Sequence, residues 1–171
     1  MLDDLLAQPA FALIRGRDAQ TVTLLGGARL DLEKLADIPA GSSDGAAWDH
    51  LVVVPFAQIR ERGFRAHQDG TPLTAIQADF CVEIDVNELI ELLPSKAPAF
   101  ADKGGFETSD ETYANVVRTV IDEEIGHGEG ANVVIGRHYR AQLNDWGHEA
   151  ALSVFRTLLE RYPTHHKASG A

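Results

Sequence analysis

The stretch from Thr108 to Leu143 constrains the fold more than any other part of the chain, because it joins a helix, a glycine elbow and a β-rich run without a break. Thr108 and Glu111 have capping-box spacing, which predicts a helix start there. Tyr113, Val116, Val117, Val120, Ile121 and Ile125 recur at steps of three and four, the spacing of one α-helical face. Asp122, Glu123 and Glu124 lie mostly off that stripe. Gly126, Gly128 and Gly130 then break the helix, since glycine enters positive φ at little steric cost. Ala131–Ile135 is β-rich, and Tyr139, Ala141 and Leu143 extend it in alternation, so a strand is expected to follow the elbow.

The rest of the chain punctuates itself clearly. Leu2, Leu5 and Leu6 predict a short helix ending before Pro9. Phe11–Ile14 and Thr21–Leu25 read as a hairpin around the polar turn 15–20. Leu30, Leu32, Leu35 and Ile38 read as a short segment packed on the sheet, and Pro39–Ala47 as a flexible loop. Leu51–Val54 is a continuous apolar run closed by Pro55, as expected for a strand buried on both faces. Phe64–His67 is expected to begin another strand, turned at Asp69–Gly70. Leu73–Ile84 alternates, and Asp85 is the expected N-cap of a short helix with Val86, Leu89, Ile90 and Leu93 inward. A Pro-, Ala- and Gly-containing connector covers Pro94–Gly105. Glu149–Tyr162 is a second amphipathic helix, with Ala151, Val154, Phe155, Leu158 and Leu159 on its stripe and Pro163 as its stop.

These elements predict an α+β fold: a mainly antiparallel sheet with helices 110–125 and 149–162 packed on one face. One domain is expected over residues 1–163, followed by a disordered tail at 164–171. With 171 residues and 44% hydrophobic composition the chain can bury a real core. Its net charge of −11 opposes binding to nucleic acid or to an anionic membrane surface, because phosphate contacts need a clustered basic face. No apolar run reaches the roughly 20 residues that span a bilayer, and no cationic start precedes an apolar stretch, which leaves the cytoplasm as the expected compartment. The lone Cys81 reads as a small core residue.

Few patterns for chemistry are complete. His127, His138 and His148 lack the helical spacing of a zinc pair, and His165-His166 sits in the tail. Asp122-Glu123-Glu124 could offer oxygen ligands to a cation but reads as a solvated helix face. Gly128-Glu129-Gly130 has a helix before it and a β-rich run after it, the reverse of a phosphate-cradling loop. Arg137 and Arg140 could pair with a dicarboxylate but read as structural or surface arginines.

The segment Val120–Leu143 ("VIDEEIGHGEGANVVIGRHYRAQL") resembles the helix-to-strand segment of the chorismate-utilising enzymes of the anthranilate synthase component I group, and in particular the phenazine-pathway 2-amino-2-desoxyisochorismate synthases. Phe11–Ile14, Leu35–Pro39, Leu51–Phe64 and Asp69–Leu73 carry the same likeness, which spans about Phe11 to Tyr162. The resemblance implies the N-terminal layer of that synthase fold, with the Leu51–Val54 strand central to its first sheet. It implies that Asn132 lines the chorismate pocket, where isochorismate-type and aminodeoxychorismate-type relatives carry a lysine and anthranilate synthases a glutamine. A lysine can act as a general base, whereas an amide can only orient an incoming ammonia by hydrogen bonding. It further implies a complete enzyme that uses Mg²⁺, aminates chorismate at C2 with loss of the C4 hydroxyl, and takes ammonia from a glutamine amidotransferase. The family's metal-binding glutamates and catalytic histidine belong to segments beyond those matched here. The expectation is therefore a chain that is inactive alone and works with a C-terminal synthase half or as a homodimer. The alternative is a free-standing, non-catalytic binding module that kept the fold.

Overall fold

The structure is a computed structural model that describes residues 1–41, 48–128 and 132–162. Parts of the loop expected at Pro39–Ala47 and of the glycine elbow, and the whole segment from Pro163 with the expected tail and His165-His166, lie outside the described residues. The chain divides into two compact units, one comprising Met1–Leu93 and Leu158–Ala171, the other Pro94–Thr157.

In the first unit α1 (Leu2–Leu6) precedes β1 (Ala10–Ile14), β2 (Thr21–Gly27) and β3 (Arg29–Leu32), then β4 (His50–Val53), β5 (Leu73–Gln77), β6 (Phe80–Asp85) and α2 (Val86–Leu92). The strands are antiparallel and form two three-stranded sheets, ordered β1-β2-β6 and β3-β5-β4. The expected hairpin is present, with Leu13 opposite Leu24. β2 is the middle strand of its sheet and is buried from Val22 to Gly27. Leu5, Val22, Leu24, Leu25, Leu89 and Leu93 form the centre of the core. Asp85 caps α2 as expected: its carboxylate accepts from the N–H groups of Asn87 and Glu88, satisfying donors that the first helical turn leaves unpaired.

The two sheets meet at a corner. β2 turns into β3 at Gly27, while β5 turns into β6 at Ala78–Asp79. The Asp79 N–H donates to the Gly26 carbonyl at 3.0 Å, and the Gln77 N–H donates to the Ala28 carbonyl at 2.9 Å. A Cβ on Gly27 would lie 1.8 Å from the Gln77 carbonyl oxygen, so only glycine fits this approach of two backbones.

Four expectations for this unit are corrected. The alternating run Leu73–Ile84 is two strands in two different sheets, because the chain bends at Ala78–Asp79 where no glycine or proline marks the break. The strand expected to be central is β4, and it lies at an edge; β5 occupies the middle. A continuous apolar run does not by itself distinguish a covered strand from an edge strand with exposed side chains, and Val53 is 54% exposed. Cys81 is exposed rather than in the core, because alternation on β6 turns Phe80, Val82 and Ile84 inward and Cys81, Glu83 and Asp85 outward. Residues 64–67 form no strand. At the Asp69–Gly70 turn the Asp69 carboxylate accepts from the Thr71 N–H at 2.9 Å. That bond and a second from the Thr71 side chain hold its carboxyl below the usual carboxylate range.

In the second unit β7 (Gly105–Phe106) pairs antiparallel with β8 (Tyr139–Arg140), and α3 (Asp110–Thr119) lies between them in sequence. Ser109, not Thr108, is the N-cap: its hydroxyl oxygen accepts from the Thr112 N–H at 3.1 Å. The helix continues through Val120–Ile125 as a wider π-helical turn, in which the Gly126 N–H donates to the Ile121 carbonyl five residues back. No residue of α3 is buried, and Val116 on its apolar stripe is 44% exposed. α4 (His148–Arg161) begins in this unit, which ends at Thr157, and its buried residues are Leu152, Ser153 and Leu159. The expected stripe members Ala151 and Leu158 are exposed, so the buried face is rotated by about one residue. Ser153 tolerates burial because its hydroxyl donates to the Ala150 carbonyl at 2.9 Å. The architecture is α+β with mainly antiparallel sheets, as the periodicities require.

Candidate functional site

The candidate site is the segment between the glycine elbow and β8, where the resemblance places Asn132. The strand expected over 131–135 does not form among the described residues: 132–138 runs without a β-partner, and Val134 is 91% exposed. β-propensity is not enough where no neighbouring strand supplies a hydrogen-bond ladder.

The segment is held by side chains instead. The Tyr113 hydroxyl, from the first turns of α3, donates to the Ile135 carbonyl at 2.9 Å. Two residues on, the Arg137 guanidinium lies 3.7 Å from the centre of the Phe106 ring and 4.9 Å from that of Tyr113. Its Nη1 donates to the Asp110 carboxylate at 2.5 Å and to the Thr108 carbonyl at 3.3 Å. A planar cation suits this position, since it stacks on aromatic faces while its edge donates in the plane. Tyr139 meets Phe106 edge-to-face at 5.1 Å and donates its hydroxyl to the Lys103 carbonyl at 2.6 Å. On the outer side, Glu107 receives Arg140 and lies 3.2 Å from His138.

Arg137 and Arg140 are thus structural, as the sequence suggests: one clamps the ribbon to the start of α3, the other pairs with a carboxylate. Asn132 is exposed at the beginning of the clamped segment. Its amide can donate and accept hydrogen bonds but offers no group that takes up a proton near neutrality. His127 Nδ1 lies 2.5 Å from the Glu123 carbonyl oxygen. Asp122, Glu123 and Glu124 are all exposed. Among the described residues no three His, Cys, Asp or Glu side chains come together as a metal site would require. The clamp residues Phe106 and Asp110 were not singled out by the sequence, because a two-residue ribbon joining positions 33 or more apart leaves no periodicity.

We expect Arg137→Lys to loosen this unit by about 1–2 kcal/mol, since an ammonium keeps the charge but not the stacked plane. Hydrogen exchange of the Glu107 amide, which donates to the His138 carbonyl at 3.0 Å, reads this directly. Unchanged protection there would mean that the guanidinium is not the clamp.

No family model matches the chain. It is, however, 42% identical over 125 residues to a phenazine-specific anthranilate synthase from Pseudomonas chlororaphis, a match that covers 73% of this chain and 20% of the relative. A phenazine-specific anthranilate synthase from Pseudomonas fluorescens matches with the same identity and coverage. The chain resembles one segment of phenazine-specific anthranilate synthase. It spans about a fifth of the length of these synthases, so the likeness reaches one segment of them and not the whole. Among the described residues no helix is long and apolar enough to cross a membrane.

Proposed function

We propose that this chain forms the N-terminal layer of an ammonia-using, chorismate-aminating synthase of the phenazine type, with Asn132 contributing an amide to the substrate pocket. The observation that carries this reading is the 42% identity over 125 residues to the phenazine-specific anthranilate synthases. In the complete enzyme chorismate would be aminated with ammonia from a glutamine amidotransferase, and a C-terminal synthase half would supply the catalytic groups. In this reading the Mg²⁺ of the complete enzyme is held by residues outside this segment. What the chain itself contributes is positioning. The Arg137 clamp and the Tyr113 bond to Ile135 hold the segment that carries Asn132, and fixed polar groups around a reactant lower a barrier by orientation rather than by proton transfer.

The test is reconstitution. The purified chain is incubated with chorismate, ammonium and Mg²⁺, alone and mixed with a phenazine-specific synthase lacking the matched segment. We expect no chorismate consumption by the chain alone, turnover on mixing, and at least about tenfold less turnover with Asn132→Ala, the scale of one lost hydrogen bond. Turnover by the chain alone, or none on mixing, would overturn the proposal. A second reading, a non-catalytic binding module, is favoured by the exposed apolar residues Val116, Ile121, Val133 and Val134, which a partner could cover. It would be marked by a stable monomer that binds without reconstituting activity.

A further inference from the structure

Beyond the synthase reading, we propose that the strap from Phe56 to His67 is a docking surface for an acidic polypeptide segment. In a chain of net charge −11 this strap gathers Arg60, Arg62, Arg65 and His67 within eight residues. All four are exposed, and among the described residues none of the three arginines has an ion-pair or hydrogen-bond partner for its side chain.

The nearby carboxylates are turned elsewhere. Glu61 accepts from the Leu35 N–H at 3.1 and 3.2 Å and from the Gln58 side chain, and Gln58 also donates to the Glu33 carbonyl at 2.9 Å. These bonds tie the 3₁₀ turn Phe56–Arg62 to the chain after β3 and occupy the Glu61 carboxylate. Asp69 is engaged in its own turn with Thr71. The strap therefore has a fixed frame, with its three guanidinium groups unpaired among the described residues and His67 within electrostatic reach of the Asp69 carboxylate. Gly63, at φ 83, turns the chain directly after Arg62 so that Phe64 and Arg65 follow on the same strap.

Apolar anchors accompany the charges. Phe56 is 78% and Phe64 60% exposed. Arg60, Phe64, Arg65 and His67 line one open depression. Exposed aromatic rings beside free guanidinium groups have the composition of a protein-binding hot spot: the ring supplies buried area, and the fork-shaped cation pairs with carboxylates. A polyanion such as RNA offers negative charge too, but the strongly acidic remainder of the chain repels an extended phosphate backbone. A short carboxylate-rich segment with apolar residues meets both parts of the surface.

The test uses the full chain and a fluorescein-labelled twelve-residue peptide of alternating glutamate and leucine, read by fluorescence anisotropy at low and high salt. We expect binding that weakens with salt, falls about tenfold in R60Q/R62Q/R65Q, the sum expected of three exposed ion pairs, and falls again in F64S. A lysine–leucine peptide is expected not to bind. Circular dichroism identifies variants that keep the fold, which these exposed positions permit. Equal binding by wild type and the triple variant would overturn the proposal. So would tighter binding to single-stranded RNA, or a concentration-dependent dimer abolished by the triple variant, which would make the strap an interface between two copies. None of these outcomes depends on chorismate turnover, so failure here and failure of the synthase reading are separable.

Discussion

Replacing Gly27 with alanine is expected to cost about 3–5 kcal/mol, at the upper end of what single substitutions do. The added Cβ would sit 1.8 Å from the Gln77 carbonyl oxygen and 3.0 Å from the Asp79 nitrogen. Neither obstacle is the yielding tip of a side chain. Both belong to the backbone of the β5–β6 bend, and moving it would pull on the bonds from Asp79 to Gly26 and from Gln77 to Ala28. Because β2 and β3 lie in different sheets, one methyl group disturbs both. Urea unfolding of the G27A and G136A proteins gives the comparison, since a Cβ on Gly136 meets nothing within 4 Å. Equal midpoints would show that the two backbones are not so close.

Leu24→Ala comes next in size, with an expected loss of about 2–5 kcal/mol. Leu24 has no solvent exposure and lies on the middle strand, opposite Leu13 on one side and Val82 on the other. Truncation removes packing that neighbours held on both sides by strand pairing cannot refill. Leu92→Ala removes the same atoms from a residue that is 48% exposed and is expected to cost less than about 1 kcal/mol. If the two variants unfold at the same urea concentration, the core is not centred on β2.

The sequence is most readable where structure is local. A leucine triplet before a proline, two apolar runs around a polar turn, and an aspartate before a helical stripe each specify their element through bonds between near neighbours. α1, the β1–β2 hairpin and the Asp85-capped α2 follow from them. It is least readable where distant partners decide. Nothing in Leu51–Val54 says whether a strand will flank it on both sides, and nothing in Ala78–Asp79 announces a change of sheet. The same holds at the candidate site. Asn132 could be named from a likeness to other chains, but the Phe106–Arg137–Tyr113 stack depends on pairing across more than twenty residues, and the run after the elbow remains without a ladder. Its valines look the same in sequence as those of β4.

The π-helical turn at Val120–Ile125 bears on the direction in which the chain leaves α3. An α-helix turns about 100° with each residue, so a turn that holds one extra residue changes the phase of all that follows. The bearing at which the chain leaves the helix at Gly126 is therefore set by residue count as well as by residue type. Deleting a single residue between 120 and 125 would restore the ordinary pitch and turn the helix end at Gly126 by about a quarter of a turn around the axis, setting the helix exit against the clamp that Tyr113 and Arg137 keep on the segment beyond.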